Sequence, residues 1–324
     1  MRTVFMGSPE FAVASLEKVH ELTELVAVYT QPDKVRGRRG NKLEPTPVKK
    51  RALELGLPVH EPKRIRDEEV IAQLREYRPD AILVVAYAKL IPPEILSLPK
   101  YGCINVHPSL LPKFRGAIPL QASIFAGETE TGVCTFFMDE GYDTGDIIIT
   151  RHTHLGVEET FSELSERLAL LGAEVLGETI ELLGSGQPVN RTVQPAEAVG
   201  GYTKPLGKEQ LLVDWSQDAE TVRNHIRGLS EVPGAGTLLP NGEALKIGKA
   251  SPAPREFQGA AGTVLGVVKG KGPVVACGSG SLILERVKPA GKGWMDGASF
   301  WNGKRVEQGQ VLGQAVHTTA SAGP

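Results

Sequence analysis

Hydrophobic residues in the first half of the chain form short continuous runs that alternate with stretches of helical periodicity. Strands buried on both faces have no polar side, so uninterrupted runs of this kind are typical of a parallel sheet between two helical layers. The pattern therefore predicts an α/β, Rossmann-like doubly wound domain. The runs and helical stretches lie at 3–6, 11–19, 25–29, 47–55, 71–77 and 81–85.

Two more apolar runs, at 102–106 and 133–138, precede a long stretch of helical periodicity from 160 to 183. Its leucines, valine and isoleucine return every three or four residues, which predicts one long helix. The following stretch is rich in glycine and proline and has no such period. We expect a first, catalytic domain over 1–184 and a linker over 185–207.

Beyond the linker the sequence predicts one amphipathic helix, with Val222 and Ile226 on its apolar face and Ser216 as its N-cap. Short strands separated by turns follow, and this spacing predicts a small antiparallel β-barrel, with the OB-like barrel as one candidate. We expect this domain over 208–314 and a flexible tail over 315–324. The predicted strands lie at 244–247, 262–268, 274–276 and 281–287.

Composition narrows the class of protein without identifying it. A length of 324 residues favours two domains, and 41% hydrophobic with 23% charged residues is typical of a folded globular chain. The formal net charge of -2 is unevenly spread, because 13 Lys and Arg against 10 Asp and Glu from Lys208 onward leave that part at +3. A modestly basic second domain suits a polyanionic partner, although a solvated face is the commoner reason for such a charge.

The cysteines and paired histidines argue against a metal site. Cys103, Cys134 and Cys277 are scattered in apolar or glycine-rich sequence without CxxC spacing, which favours buried reduced thiols. His152 and His154 have the spacing of a same-face strand pair, but no third ligand lies near them in sequence. No basic-then-apolar leader opens the chain and no apolar stretch approaches the roughly 18 residues of a membrane span. We expect a cytoplasmic protein without a membrane partner.

The stretch CINVHPSLLPKFRG places two polar side chains at the end of a buried strand. Asn105 and His107 are two residues apart, so they share a strand face, and the carboxyl end of a parallel strand is where doubly wound folds bind ligands. An amide and an imidazole together can stabilise an oxyanion and handle a proton. The alternative is a histidine satisfied by local hydrogen bonds. The same-face asparagine makes us prefer the catalytic interpretation.

Two further loops follow predicted strands. The turn GSPE after the first strand suits either a phosphate cradle or a tight strand-to-helix turn, and the single Gly7 favours the tight turn. The loop from Asp33 to Lys42 mixes cations with glycines, which allows close approach to phosphates, although a mobile solvated loop is equally compatible.

The stretch MDEGYDTGDI offers a carboxylate to orient His107. Asp139, Asp143 and Asp146 all lie on a glycine-punctuated loop, where the alternative is an aspartate that only shapes a turn, and this alternative fits Asp139 and Asp146 well. A carboxylate near His107 would raise the imidazole pKa by favouring its charged form. The residues alone do not choose among the three.

In their order along the chain, the blocks FMGSPEFA, TQPD, PTPVK, AYAKLIP, GCINVHPSLLPKFRGAIPLQ, GYDTGD and KPAGKGWMDG resemble the methionyl-tRNA formyltransferase family. The resemblance covers almost the whole chain. It implies a Rossmann-like catalytic domain followed by an OB-like domain. It also implies formyl transfer from 10-formyltetrahydrofolate, as cosubstrate, to the amino group of initiator methionyl-tRNA, in a monomer that needs no metal.

The resemblance also implies roles for individual residues. Asn105, His107 and Asp143 match the catalytic set, with Asn105 and protonated His107 stabilising the tetrahedral intermediate and Asp143 holding His107 in its charged form. The contacts with the tRNA acceptor stem fall on a basic loop, in which Arg38 and Arg39 compete for the main role. The formyl-folate contacts match Ser109, Leu110, Leu111, Pro112, Tyr87 and Ala88, and the tRNA contacts match Arg36, Arg38, Arg39 and Lys42.

Three alternatives stay open at this stage. A related folate-dependent enzyme that formylates a nucleotide sugar, or that hydrolyses the folate, would share the Asn, His and Asp. A non-enzymatic RNA-binding protein would use the β-barrel alone. A nicotinamide-linked oxidoreductase is disfavoured, because the three-glycine fingerprint is incomplete.

Overall fold

The computed structural model describes residues 1–36 and 42–313. The chain forms two compact units. One comprises residues 1–119, 130–155 and 164–204, and the other comprises residues 120–129, 156–163 and those from 205 onward. The expected tail at 315–324 lies outside the described residues. The boundaries expected at 184, 207 and 314 stay predictions.

A seven-stranded mixed sheet runs through the first unit in the order β5-β2-β1-β6-β7-β8-β9. The first five of these strands are parallel, β8 runs antiparallel to β7, and β9 runs antiparallel to β8 and so in the same direction as the first five. β3 and β4 form a separate two-stranded ribbon. The strands are β1 (Arg2–Gly7), β2 (Glu24–Tyr29), β3 (Lys34–Arg36), β4 (Lys42–Glu44), β5 (Val59–His60), β6 (Ala81–Val85), β7 (Cys103–His107), β8 (Glu130–Phe137) and β9 (Ile147–His154).

Helices cover both faces of this sheet. The α-helices of the chain are α1 (Val13–Leu22), α2 (Pro47–Glu54), α3 (Glu68–Tyr77), α4 (Pro93–Leu96), α5 (Pro119–Phe125), α6 (Phe161–Gly184), α7 (Ala219–Gly228) and α8 (Gly297–Asn302). Residues of α3 and α4 share a core with Val4, Met6 and Val84 on one face. On the other face, Gly172 of α6 faces Val106, since a Cβ there would lie 3.1 Å from the valine methyl. The predicted doubly wound architecture is confirmed.

The chain does not leave the first unit after α6. Within residues 185–204, which we expected to be a linker, Thr192 bridges to Ile147 and Thr203 bridges to Gly116. The segment buries few apolar side chains, so it lacks the periodicity by which sequence reasoning recognises packed structure. Its backbone nevertheless packs beside the loops that follow β7 and β8.

The second unit is a six-stranded antiparallel sheet in the order β10-β11-β14-β13-β12, with β15 beside β14. Helices α7 and α8 pack against this sheet, and Val222, Ile226 and Phe300 lie in the shared core. The prediction of a separate antiparallel β domain is confirmed. Its strands are β10 (Ala235–Leu238), β11 (Ala244–Pro252), β12 (Val264–Val268), β13 (Gly272–Ala276), β14 (Ser281–Pro289) and β15 (Met295–Asp296).

The expected N-cap of α7 is wrong by two residues. Asp218 caps the helix, and its carboxylate accepts hydrogen bonds from the backbone N–H groups of Glu220 and Thr221. Ser216 instead donates its hydroxyl to Asp214, 2.6 Å away, in the preceding turn. An aspartate directly before the helix is as good a cap as a serine, so the residue type alone did not decide between them.

The cysteines and the turn after β1 agree with the sequence-based expectations. All three cysteines are buried free thiols, as expected, and burial raises the pKa of Cys103 to about 12. A Cβ on Gly7 would lie 2.7 Å from the Phe5 ring, which agrees with a tight turn after β1. Over residues 1–36 and 42–313, none of the helices has the length and apolar character needed to cross a membrane.

Candidate active site

Strand β7 carries the first two candidate residues to one end of the parallel strands. It is hydrogen-bonded between β6 and β8, with Asn105 paired to Val84 and His107 paired to Cys134. Side chains alternate along a strand, so Asn105 and His107 lie on the same face. The position of both backbones is therefore fixed by a central strand and not by a loop.

The backbone of the following loop fixes the tautomer of His107. The imidazole is buried, with 4% of the residue exposed, and its Nε2 lies 3.1 Å from the carbonyl oxygen of Phe114. Phe114 has a left-handed backbone, with φ at 58°, which brings that carbonyl round towards the ring. A carbonyl oxygen only accepts hydrogen bonds, so Nε2 carries the proton and the neutral ring leaves Nδ1 bare.

Asp143 is the carboxylate that lies beside this bare nitrogen. Its Oδ2 is 3.7 Å from His107 Nδ1 and accepts a 2.7 Å hydrogen bond from the backbone N–H of Gly116. Asp139 is occupied differently, because it accepts hydrogen bonds from Gly141 and Thr144 and shapes the turn. The structure therefore brings together His107 and the aspartate that the resemblance had selected.

The charge state of His107 depends on its burial. Burial lowers its pKa below the ordinary value, and this effect is larger than the opposite effects of Asp143 and the Phe114 carbonyl. The lowered pKa favours the neutral ring before the reaction, so the expectation that Asp143 holds His107 in its charged form stays a prediction about the reacting state. In the neutral ring, bare Nδ1 can accept a proton, and the adjacent carboxylate would favour the imidazolium that forms.

The Asn105 side chain is free to meet a ligand. It is partly exposed, and within the described parts of the chain its amide makes no hydrogen bond. An amide that is not engaged by the fold keeps its donor for an oxygen that develops negative charge.

The predicted folate-contact residues after His107 face in different directions. Ser109 is fully buried and donates its hydroxyl to the carbonyl of Lys113, 2.7 Å away, while Leu111 packs in a small core cluster with Cys134 and Phe136. Ser109 and Leu111 can therefore offer a ligand only their main chain. Leu110 and Pro112 keep partly exposed side chains.

Tyr87 is also restricted to a main-chain role. Its side chain is 1% exposed and lies in the core, and its carbonyl oxygen accepts a 2.8 Å hydrogen bond from the amide of Gln31. Ala86 and Ala88 both have positive φ, at 49° and 59°. A pterin contact at Tyr87 and Ala88 stays a prediction about this bent backbone.

The basic loop is only partly described. Arg36 at the end of β3 pairs with Lys42 at the start of β4, so the two cationic positions lie opposite each other in the ribbon. Arg38 and Arg39 lie outside the described residues. At the base of the ribbon, Lys49 Nζ is 2.8 Å from Asp33 and 2.7 Å from Glu61.

Sequence reasoning missed the groups that hold the site together. Phe114 contributes a carbonyl and Gly116 an N–H, which every non-proline residue carries, so no residue type announces them. Gln194, whose amide donates to the carbonyls of Asp143 and Gly145, lay in the expected linker. The one available signal in the sequence is the glycine at 116, which indicates a close approach or an unusual turn. It does not indicate which group the backbone contacts.

Comparison with known proteins places the chain in a family. The model of the Formyl transferase family matches residues 1–180, and the model of the Formyl transferase C-terminal domain matches residues 205–305. A methionyl-tRNA formyltransferase of Trichlorobacter lovleyi is 45% identical over 96% of this chain and 96% of its own length. One of Symbiobacterium thermophilum is 47% identical over 95% of this chain and 94% of its own length.

A solved structure shares the fold. The structure of HypX from Aquifex aeolicus in complex with tetrahydrofolic acid has a TM-score of 0.61 at 19% identity. It covers 95% of this chain, which itself spans about half, 48%, of the HypX chain. At this identity the similarity concerns the fold alone.

These findings decide between the classes that the sequence had left open. A nicotinamide-linked oxidoreductase and a non-enzymatic RNA-binding protein are both excluded by the match over the catalytic domain. The predicted resemblance is confirmed. The chain carries both family domains in order and therefore belongs to the formyl transferase family, as a formyl-transferring enzyme.

Proposed function

We propose that this enzyme transfers the formyl group of 10-formyltetrahydrofolate to the amino group of initiator methionyl-tRNA. The formyl donor is the one that the motifs around His107 imply. The acceptor is the one named in relatives at 45% and 47% identity that match nearly the full chain. The observation that carries the chemistry is the buried His107, with Nδ1 bare and a carboxylate 3.7 Å away.

The attacking amine must lose one proton as it bonds to the formyl carbon. Neutral His107 is the base that accepts this proton at Nδ1, because Nε2 is already protonated towards Phe114. The imidazolium that forms is stabilised by the carboxylate of Asp143. The same proton is then available for the leaving nitrogen of the folate, so the transfer balances with no net proton gained or lost.

Asn105 stabilises the oxygen that becomes negative in the tetrahedral intermediate. Its amide is unengaged and lies on the same strand face as His107. One well-placed donor of this kind contributes about 2.7 to 4 kcal/mol to catalysis in a known enzyme. The backbone that carries this amide is held between β6 and β8.

Two basic regions would hold the RNA. Arg36 and Lys42 are paired positions of the β3–β4 ribbon, and Arg38 and Arg39 lie between them in sequence. In the second unit, Lys246 pairs opposite Lys288 across β11 and β14. Like charges directly opposite each other destabilise a sheet, whereas a phosphate backbone placed over them reverses that effect.

One assay tests the proposal. Purified protein is mixed with 10-formyltetrahydrofolate and one of four acceptors: initiator methionyl-tRNA, elongator methionyl-tRNA, an amino-sugar nucleotide, or water alone. We expect formylmethionyl-tRNA from the initiator tRNA at the highest rate. Faster formylation of the amino sugar, or formate release that does not depend on tRNA, would contradict it. A folded His107→Asn variant serves as the control for contaminating activity.

A further inference from the structure

The amide of Gln194 is held in a single orientation. Its Oε1 accepts hydrogen bonds from Nη2 and Nε of Arg115, at 2.9 and 3.2 Å, while its Nε2 donates to the carbonyl oxygens of Asp143 and Gly145, at 3.1 and 2.6 Å. A guanidinium only donates and a carbonyl only accepts, so the amide cannot be flipped without losing all four bonds. Gln194 is itself 8% exposed.

Arg115 is a buried cation whose partners are neutral. Its side chain is fully buried, and among the described residues its acceptors are the Gln194 amide and the carbonyls of Pro195, at 2.8 Å, and Ala196, at 3.4 Å. Burying a charge without an ionic partner costs free energy, and an uncharged side chain could make a purely structural contact without that cost. Its effect here is to hold the segment of Gln194 against the loop of Asp143.

Asp143 is reached from Arg115 by two routes. The side-chain route runs through Gln194 to the backbone carbonyl of Asp143. The backbone route runs through the next residue, Gly116, whose N–H donates to Asp143 Oδ2 at 2.7 Å. The backbone carbonyl and the carboxylate of Asp143 are therefore both held in place relative to Arg115.

The backbone that these bonds hold is strained. Asp143 has a φ of 55°, in the left-handed region that most side chains avoid. Gly145 has no room for a side chain, since a Cβ there would lie 1.7 Å from the carbonyl oxygen of Phe137. Gly116 is in turn fixed against Thr203, which donates its N–H to the Arg115 carbonyl at 2.8 Å. A conformation of this kind persists only where its surroundings enforce it.

We propose that Arg115 and Gln194 are positioning residues that hold the Asp143 carboxylate against His107. The inference rests on the proposed function, because it assigns to Asp143 the stabilisation of the imidazolium. It follows that the segment after α6, which joins the two family domains in sequence, is part of the catalytic machinery of the first unit. Among the described residues, neither side chain hydrogen-bonds to His107, so the two residues act through Asp143.

The variant Gln194→Glu tests this inference with little change in shape. The carboxylate still accepts from Arg115, but an oxygen replaces the Nε2 donor and faces the two carbonyl oxygens. We expect the turnover number to fall at least about tenfold, with the KM for formyl-folate within about twofold of the parent value. Gln187→Glu, an exposed position on the same segment, makes the same charge change and should leave both parameters unaltered.

A double-mutant cycle separates positioning from general damage. The second arm uses Asp143→Asn as the background and measures single turnovers with enzyme in excess. There, Gln194→Glu should lower the rate constant of formyl transfer by less than about twofold, because the carboxylate that Gln194 positions has already been removed. If Gln194→Glu lowered the rate by the same factor in the parent enzyme and in Asp143→Asn, the proposal would be overturned. A parent-like turnover number for Gln194→Glu would also overturn it. Arg115→Lys, which keeps the buried charge but not the forked donor, provides the same comparison if Gln194→Glu does not fold. Failure of the proposed function is distinct, since the parent enzyme would then lack tRNA formylation.

Discussion

The Nε2 of His107 lies 3.1 Å from the carbonyl oxygen of Phe114, and this contact determines which nitrogen of the ring is free to react. The proton that the carbonyl requires occupies Nε2, so Nδ1 is presented towards Asp143 without a proton. The neutral imidazole at the end of β7 is thereby held in one tautomer. The carbonyl belongs to a residue with positive φ, so the loop after β7 is bent into this position.

The acid limb of the pH–rate profile should lie below the ordinary histidine value of about 6.5. Burial lowers the pKa of His107, so the neutral base persists to lower pH and activity is lost only as the pH falls through that depressed value. The measurement is the ratio of kcat/KM for the tRNA in the parent enzyme to that in folded His107→Asn between pH 5 and 8, because the acceptor α-amino group, with an ordinary pKa of about 7.7 to 8.0, titrates equally in both. In Asp143→Asn the limb should move further down, because Asp143 raises the His107 pKa. A limb above the ordinary value, or an upward movement in that variant, would contradict the assignment of His107 as the base.

Replacement of Asn105 should reduce turnover without loss of stability. Asn105→Ala removes the proposed oxyanion donor, so the turnover number should fall about 10²- to 10³-fold while the KM values change little. The melting temperature should stay near the parent value, because the amide makes no hydrogen bond in the described part of the fold. Asn105→Asp keeps the shape and lacks the donor, and it should be as poor as Asn105→Ala. Retention of more than a tenth of the activity in both variants would exclude the role.

The basic loop should act on the RNA and leave the formyl donor unaffected. Arg38→Gln with Arg39→Gln should raise the KM for initiator tRNA and leave the KM for formyl-folate unaltered, because the two arginines neutralise phosphates of the RNA. The salt dependence of tRNA binding should also become shallower, by about one unit of log–log slope for each phosphate that the variant no longer neutralises.

A matched double substitution controls for the change in net charge. Arg75 and Arg78 are exposed at the end of α3, and Arg75→Gln with Arg78→Gln removes the same charge there. This variant should keep the parent KM for tRNA and the parent salt dependence. Equal effects of the two double substitutions would mean that the loop acts only through net charge.

Gly116 should tolerate a side chain less well than another glycine of positive φ. Gly116 has a φ of 111°, and a Cβ there would lie 2.3 Å from the carbonyl oxygen of Thr203. Gly56 has a φ of 70° and nothing within 4 Å of an added Cβ, so Gly56→Ala meets only backbone strain. We expect Gly116→Ala to lower the free energy of unfolding by at least about 1 kcal/mol more than Gly56→Ala does.

The activities of these two variants should differ as well. Gly116 donates to Asp143, so a backbone shift at Gly116 should lower the turnover number, whereas Gly56→Ala should keep it. Chemical denaturation and initial-rate assays measure both effects. Similar stability and similar rates for the two alanine variants would mean that the contact with Thr203 yields without consequence.

The sequence by itself determined the parallel sheet, the separate β domain and the position of Asn105 and His107. These features depend on local periodicity and on the alternation of side chains along a strand, both of which can be seen in a single stretch of chain. It also limited the carboxylate partner to three aspartates on one loop. The family motifs selected Asp143 among them.

Tertiary structure alone decided the chemistry of the site. The tautomer of His107 depends on the carbonyl of Phe114, and its lowered pKa depends on burial. The support of Asp143 depends on Gln194, which lies 51 residues further along the chain in a stretch without hydrophobic period. Backbone groups carry no residue signature, and desolvation depends on everything packed around a side chain, so neither can be determined from the order of the residues.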